Sequence, residues 1–371
     1  MRFPSSLARS MGAYMLRRKL LGPKRFPMVL MLEPLHACNL RCEGCGRIRE
    51  YPETMGQTMT VDECVASVEE CGAPIVSICG GEPLIYSGLV ELVARLVRMR
   101  KHLYLCTNGQ LLEEKLPEIA SANVPGLRER LYFNVHLDGP AELHDSLTGR
   151  SGSFEKAVAG LAAAKDAGFL TYVNTTVYRK TTVDALVALG ERLKKVRIDG
   201  IMVSPAYGYE AVIREREGGK NAEKPAGGDA ENRTGRALPV VSGDGIFLSR
   251  GETHAFFKEL RVRMREFPLT ATPVFMDFLC GERRLDCAAW ANPTRNIRGW
   301  RAPCYLVADT HYPTWRELME NVDWTGIGPG NDPHCRNCLT HCGFEPSSVL
   351  AVRSLAQIFR MLRWQMGAKL K

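Results

Sequence analysis

The sequence predicts an α/β fold, a partial (β/α)6 barrel with a cysteine-rich C-terminal extension, on three observations. Short apolar, β-rich segments alternate with helical periodicity from Met28 to Val203. The 371 residues, 45% of them hydrophobic, suffice for one large core and a smaller appendage. The unusual polar clusters all fall at the ends of predicted strands, where parallel α/β sheets carry their chemistry.

Taken in order, Met28 to Glu33 reads as a short apolar strand that delivers a cysteine loop. Val61 to Cys71 is a predicted helix and Pro74 to Cys79 the next buried strand. Leu89 to Met99 continues as helix into the strand His102 to Cys106. Leu131 to Leu137, Leu170 to Val177 and Gly200 to Val203 are further strands, with helices near Phe154 to Ala167 and Val183 to Lys195. Six strands with crossover helices imply a parallel sheet closing toward a barrel. Five regions follow: a basic N-terminal helix over 1–26, the barrel over 27–210, a flexible insertion over 211–245, a cysteine-rich domain over 246–348 and a basic amphipathic helix over 349–371. The insertion is rich in Gly, Glu, Lys, Asn and Ala, too polar to hold a core of its own.

Charge is uneven within a net +8. No acidic residue precedes Glu33, while Arg2, Arg9, Arg17, Arg18, Lys19, Lys24 and Arg25 are basic. After Glu345, Arg353, Arg360, Arg363, Lys369 and Lys371 stand among Leu355, Ile358, Phe359, Leu362 and Trp364. Both ends suit peripheral contact with an anionic membrane surface, and equally a helix docked on the barrel with a solvated basic face. No apolar run approaches the ~20 residues of a membrane span. The thirteen cysteines, without a signal-peptide pattern, read as reduced cytoplasmic thiols.

Chemistry begins at Cys38, Cys42 and Cys45, spaced so that one short loop presents three thiolates to one centre. Thiolate selects iron–sulfur clusters, zinc and copper(I), and a cluster held by three cysteines keeps one iron open. A structural zinc site is the alternative, with His36 as the nearby fourth ligand. Gly80-Gly81-Glu82-Pro83 follows the second strand, where the glycines permit close backbone approach and Glu82 offers an acceptor for an ammonium group; a tight turn is the plainer reading. Cys106-Thr107-Asn108-Gly109, then Asn134, His136 and Asp138, then Asn174, Thr175 and Thr176, then Ser204 and Pro205, mark the remaining strand ends. Five polar ends facing one mouth imply a polar ligand.

The Cys38-x3-Cys42-x2-Cys45 loop after a first strand, Gly80 to Pro83 after the second and the six-unit α/β run resemble the radical S-adenosylmethionine (radical SAM) superfamily. That resemblance implies that Cys38, Cys42 and Cys45 hold a [4Fe-4S] cluster and that Gly80, Gly81, Glu82 and Pro83 contact SAM. Thr107, Asn108, His136, Asn174 and Ser204 are expected as further SAM contacts. One departure stands out: Gly44 precedes the third cysteine, where the family usually has an aromatic residue.

Leu32-Glu33-Pro34-Leu35, Cys45-Gly46-Arg47-Ile48, Tyr104-Leu105-Cys106-Thr107-Asn108, Val135-His136-Leu137-Asp138-Gly139, Asn292-Pro293-Thr294-Arg295-Asn296 and His341-Cys342-Gly343-Phe344-Glu345-Pro346 are similar to the adenosylhopane synthases of hopanoid biosynthesis. The resemblance implies addition of the 5'-deoxyadenosyl radical to the terminal alkene of a hopene lipid, with a reductant such as flavodoxin or ferredoxin and no nucleic acid. A different substrate for the same barrel, a peptide or another isoprenoid, is the alternative. The carbon radical left by addition needs a hydrogen atom, and Cys106 is the expected donor, with Cys79 its rival and a buried structural thiol the plainer reading of both. Cys64 and Cys71, seven apart on a helix, read as core.

Cys287, Cys304, Cys335, Cys338 and Cys342 form a second constellation in a Gly/Pro/Asn-rich tail. They are expected to hold an auxiliary iron–sulfur cluster or zinc, with free cytoplasmic thiols as the alternative. Phe275, Phe278, Leu279, Trp290 and Trp300 are candidates to line a hydrocarbon pocket, although such residues are usually core.

Overall fold

A computed structural model of the chain describes residues 2–216 and 245–367. Six parallel strands, β1 (Val29–Glu33), β2 (Ile75–Ile78), β3 (His102–Thr107), β4 (Leu131–His136), β5 (Leu170–Val177) and β6 (Gly200–Pro205), stand side by side in chain order. All six coincide, within a residue or two, with predicted strands. Register runs unbroken across the sheet: Met31 lies beside Ser77, Ser77 beside Tyr104, Tyr104 beside Tyr132, and Cys106 beside Asn134.

The crossover helices form where local signals agree. Helix Val61–Cys71 starts at a capping box between Thr60 and Glu63 and stops at Gly72, whose φ of 70° is readily adopted only by glycine. Val183–Val196 begins where the Thr182 hydroxyl accepts from the Ala185 amide. Leu103, Leu105, Phe133, Val135 and Val173 point outward and are fully buried in the main core with these helices.

The inner face behaves differently. Met31, Tyr104, Cys106, Asn134, His136, Asn174, Thr176 and Met202 alternate with those buried residues and all keep accessible surface. Strand alternation therefore yields a sealed outer layer and an inward face of mixed polarity that keeps accessible surface. Helix Ser5–Leu21 closes the lower end, with Leu7 packing against Ile75, Tyr132 and Tyr172. The chain termini meet there: the Arg2 amide donates to the Gln365 carbonyl at 2.9 Å, and the rings of Phe3 and Trp364 are 5.7 Å apart.

The structure adds to the sequence reading at four points. The cysteine-rich stretch shares the barrel's sheet: β7 (Thr294–Asn296) pairs parallel with β1, and β8 (Gly299–Pro303) and β9 (Ala308–Tyr312) extend it antiparallel. Its tail is not all loop, since His341–Leu350 is helical despite Gly343 and Pro346. Of the insertion expected over 211–245, residues 211–216 belong to helix Glu210–Arg216, and 217–244 lie outside the described residues. The candidate pocket aromatics also prove structural: Phe275, Phe278, Leu279 and Trp300 are fully buried, Phe278 stacks on Phe344 at 4.4 Å, and the Trp300 indole donates to Glu70.

Barrel and extension are locked by a buried charge network. Arg47 pairs with Glu33 at 2.6 Å and Glu50 at 2.8 Å; Arg301 pairs with the same Glu50 at 3.0 Å and donates to the Tyr51 hydroxyl at 2.7 Å. Arg47, Glu33 and Arg301 are buried. Truncating one member leaves an uncompensated buried charge, so Arg301→Ala should destabilise by about 3–5 kcal/mol. Arg192→Ala, which breaks the exposed pair with Glu155, should cost less than about 1 kcal/mol. Urea denaturation midpoints of the two variants check this, and equal midpoints would contradict it.

Candidate active site

The three-cysteine loop leaves β1 at the barrel mouth and is held from several sides. The Arg49 guanidinium donates to the carbonyls of Cys42 at 3.0 Å and Cys45 at 2.8 Å, and the Glu43 amide donates to Leu147 O. Cys38 Sγ accepts from the Leu40 amide at 3.4 Å and from Asn108 Nδ2 at 3.7 Å. Burial pushes the Cys38 thiol up to about 11, with Glu82 and Cys45 adding to it. Cys42 is raised by burial and then by Cys45, Asp138 and Cys38. Clustered thiols in a dry site ionise readily only when a cation takes the charge, which fits metal ligation. Among the described residues, no three His, Cys, Asp or Glu side chains are already drawn to metal-ligand spacing. His36 is committed elsewhere: it is fully buried, bonds Thr54 at 2.7 Å and stacks on Tyr51.

Both glycines flanking Cys45 are pressed by tyrosines. A Cβ at Gly44 would stand 2.5 Å from the Tyr178 ring, and one at Gly46 would stand 2.4 Å from the Tyr209 ring. The aromatic residue missing from the loop is thus supplied from the end of β5. Neither tyrosine was anticipated, although paired glycines around a ligand cysteine were the available signal.

Gly80 and Gly81 pack closely on the loop that follows β1. A Cβ on Gly80 would meet Leu35 O at 2.3 Å, and one on Gly81 would meet Ala37 O at 1.9 Å. The Gly81 and Glu82 amides donate to these same carbonyls, at 3.0 and 2.8 Å. The glycines admit the β1 loop itself, and Pro83 then opens a short 3-10 turn. Glu82, 1% exposed, accepts from Thr107 Oγ1 at 2.6 Å and from the Asn108 and Leu84 amides at 2.8 and 2.9 Å. Burial raises its pKa against those three donors. Glu82 therefore clamps the β2 loop to the β3 end.

The other expected contacts divide into two groups. Asn108, His136 and Asn174 keep accessible surface at the mouth or interior, and Asn108 reaches the cysteine loop through Asn39 Oδ1 at 2.7 Å. His136 bonds Asp138 at 2.7 Å; burial opposes its protonation, but Asp138 outweighs it and raises the pKa. Thr107 and Ser204 are buried, with Thr107 bonded to Glu82 and Ser204 to His341 Nδ1 at 3.1 Å.

Cys106 stands in the inner wall, two residues before Asn108. Its Sγ lies 3.2 Å from Ser77 Oγ and 3.5 Å from Asn134 Nδ2, and burial raises its pKa so that it stays a neutral thiol. Cys79, the rival, is buried, as are Cys64 and Cys71.

Sequence comparison agrees with this geometry. A family model described as the radical SAM superfamily matches residues 32–193, and one described as a domain of unknown function (DUF3463) matches residues 238–361. An AdoMet-dependent heme synthase of Oleidesulfovibrio alaskensis is 32% identical over 152 residues, 40% of this chain and 37% of that protein. The antilisterial bacteriocin subtilosin biosynthesis protein AlbA of Bacillus subtilis is 27% identical over 165 residues, 43% of this chain and 36% of that protein. The chain thus spans little more than a third of either relative. Streptococcus suis SuiB, solved with S-adenosylmethionine bound, shares the fold with a TM-score of 0.54 at 16% identity, over 78% of this chain and 62% of its own. Residues 32–193 of this chain thus match the radical SAM superfamily, whose members bind a [4Fe-4S] cluster and S-adenosylmethionine and use a reductant.

Proposed function

We propose that this radical SAM enzyme is an adenosylhopane synthase, joining the 5'-deoxyadenosyl group to the terminal alkene of a hopene such as diploptene. The observation that carries the reading is Cys106: a neutral thiol on the inward face of the barrel, two residues before an asparagine that touches the cysteine loop. When bound, the cluster and SAM supply a 5'-deoxyadenosyl radical. The chain has to hold the alkene against the radical carbon in a closed space, so that addition outruns quenching by solvent. Met31, Tyr104 and Met202 offer apolar surface to the interior, and the N-terminal helix seals its lower end. Formation of the new carbon–carbon bond leaves a tertiary carbon radical. Cys106 then gives it a hydrogen atom, and the resulting thiyl takes one electron and one proton from the reductant to return to thiol.

The resemblance of the stretches from Leu32 to Pro346 supports the same substrate. So do the two ends of the chain. No helix among the described residues is long and apolar enough to cross a membrane. Yet Leu20, Leu21, Leu355, Phe359 and Met366 are exposed beside Arg17, Lys19, Arg353 and Arg363. A basic, apolar surface of this kind rests on anionic lipid, where a hopene would be collected. One observation favours a second reading: Ser77, Asn134 and Asn174 line the interior and would pair with a substrate bearing hydrogen-bonding groups, such as a peptide or a hydroxylated isoprenoid.

Reduced, reconstituted protein incubated with SAM and diploptene should yield a covalent adenosyl adduct by mass spectrometry, whereas 5'-deoxyadenosine alone would sink the proposal. Cys42→Ala should abolish SAM cleavage altogether. Cys106→Ala should cleave SAM at near the native rate but lose at least about 10-fold in saturated adduct, the scale of one lost hydrogen-transfer group; an unchanged yield removes Cys106 from the mechanism. Co-sedimentation with phosphatidylglycerol vesicles should be lost in a Leu20→Glu, Leu21→Glu, Phe359→Glu variant, and binding that persists would place the lipid contact elsewhere.

A further inference from the structure

Beside the barrel mouth the fold gathers a second set of soft ligands. Cys287 precedes the 3-10 turn Ala289–Ala291, Cys304 lies between β8 and β9, Cys335 ends the 3-10 turn Pro333–Cys335, Cys338 follows it, and Cys342 sits in the first turn of helix His341–Leu350. All five are free thiols. The Thr340 hydroxyl is 3.2 Å from Cys338 Sγ and 3.4 Å from Cys342 Sγ, so two sulfurs share one small polar group. Cys304 Sγ accepts from the Leu306 and Val307 amides at 3.4 and 3.3 Å. The Leu40 amide makes the same kind of contact with Cys38, a ligand of the primary loop. A Cβ on Gly343 would lie 2.4 Å from Cys287 Sγ, so the glycine makes room for that sulfur. The Cys338 amide donates to the Cys335 carbonyl and the Ala288 amide to the Gly343 carbonyl, both at 3.0 Å, which draws the segments that carry these cysteines together.

Packing alone gives no reason for five thiols here, because any one of them is replaceable in an apolar core by valine or alanine. The surrounding chain from Val322 to Thr340 has one three-residue 3-10 turn and otherwise irregular backbone. Val322, Trp324, Ile327 and Leu339 anchor the stretch in the main core, and the irregular backbone between them gains order when a metal ties it together. These sulfurs are not yet at ligand spacing, but neither are those of Cys38, Cys42 and Cys45; in both places side-chain rotation has to close the site.

Position adds a further constraint. The Tyr207 hydroxyl donates to His334 O at 3.3 Å, and the Tyr207 ring meets Tyr209 edge-on at 5.4 Å. Tyr209 is the ring that presses Gly46, next to Cys45. On the other side, Arg301 donates to Cys304 O and Leu306 O, both at 3.1 Å, from within the network that holds Arg47.

We propose that Cys287, Cys304, Cys335, Cys338 and Cys342 build a second thiolate metal centre, four of them serving as ligands, one tyrosine pair away from the Cys38–Cys45 loop. Its occupant is a soft-metal centre, iron–sulfur or zinc, and the test separates the two sources. Full-length Cys38→Ala, Cys42→Ala, Cys45→Ala protein, purified anaerobically and reconstituted, should retain either about four iron and four sulfide per chain or about one zinc without sulfide. Adding Cys335→Ser and Cys338→Ser should lower that content at least about 10-fold, as expected when two of four ligands go. A triple variant that is folded by circular dichroism yet carries no metal overturns the proposal, as does metal that survives the added substitutions. Should the five-fold variant fail to fold, alkylation of the triple variant decides: the C-terminal cysteines should resist iodoacetamide until a chelator is added, and equal labelling with and without chelator overturns the centre.

Discussion

Two arginines and two glutamates, all buried but the partly exposed Glu50, tie the extension to the barrel. Glu33 ends β1, Arg47 and Glu50 follow the cysteine loop, and Arg301 comes from β8 more than two hundred residues later. Each charge is tolerable only because its partners are present, since an isolated ion in such surroundings costs far more than one Coulombic contact returns. The arrangement therefore works as a registration device. The charge pairs fix the segment that follows the cysteine loop against β8. The family segments 32–193 and 238–361 are thereby joined through charge pairs as well as through the β1–β7 ladder.

Inside that frame the barrel separates two jobs by strand alternation. Outward residues such as Leu105 and Val135 seal the helices on, while inward residues leave space. Cys106 belongs to the inward set, so its thiol is kept neutral by burial yet remains reachable from the interior. A filled barrel core would have made the same residue inert.

Much of this was legible in the sequence, for identifiable reasons. Strand and helix positions follow from periodicity and from punctuation such as Thr60 and Gly72, so all six barrel strands were foreseen. The ligand loop was equally plain, because three cysteines at that spacing admit few uses. What escaped depended on contacts between distant segments. Tyr178 and Tyr209 act on Gly44 and Gly46 from the far ends of β5 and β6, and nothing local marks them. The partners of Thr107 and Ser204, Glu82 and His341, are likewise brought near only by the folded chain. Strand β7 is three residues long and disguised by Pro293 and polar neighbours, too short for periodicity to register.

The ring of Tyr178 has one more consequence. It lies in a small satellite core with Leu147, Val212, Ile246 and Phe247, and its neighbour Arg179 donates to the carbonyls of Gly245 and Phe247. Val212 and Ile246 stand on either side of the segment 217–244, so both anchors of that segment converge on a ring whose opposite edge rests on Gly44. The residues on either side of 217–244 thus pack on the same aromatic ring that limits the residue before Cys45 to glycine.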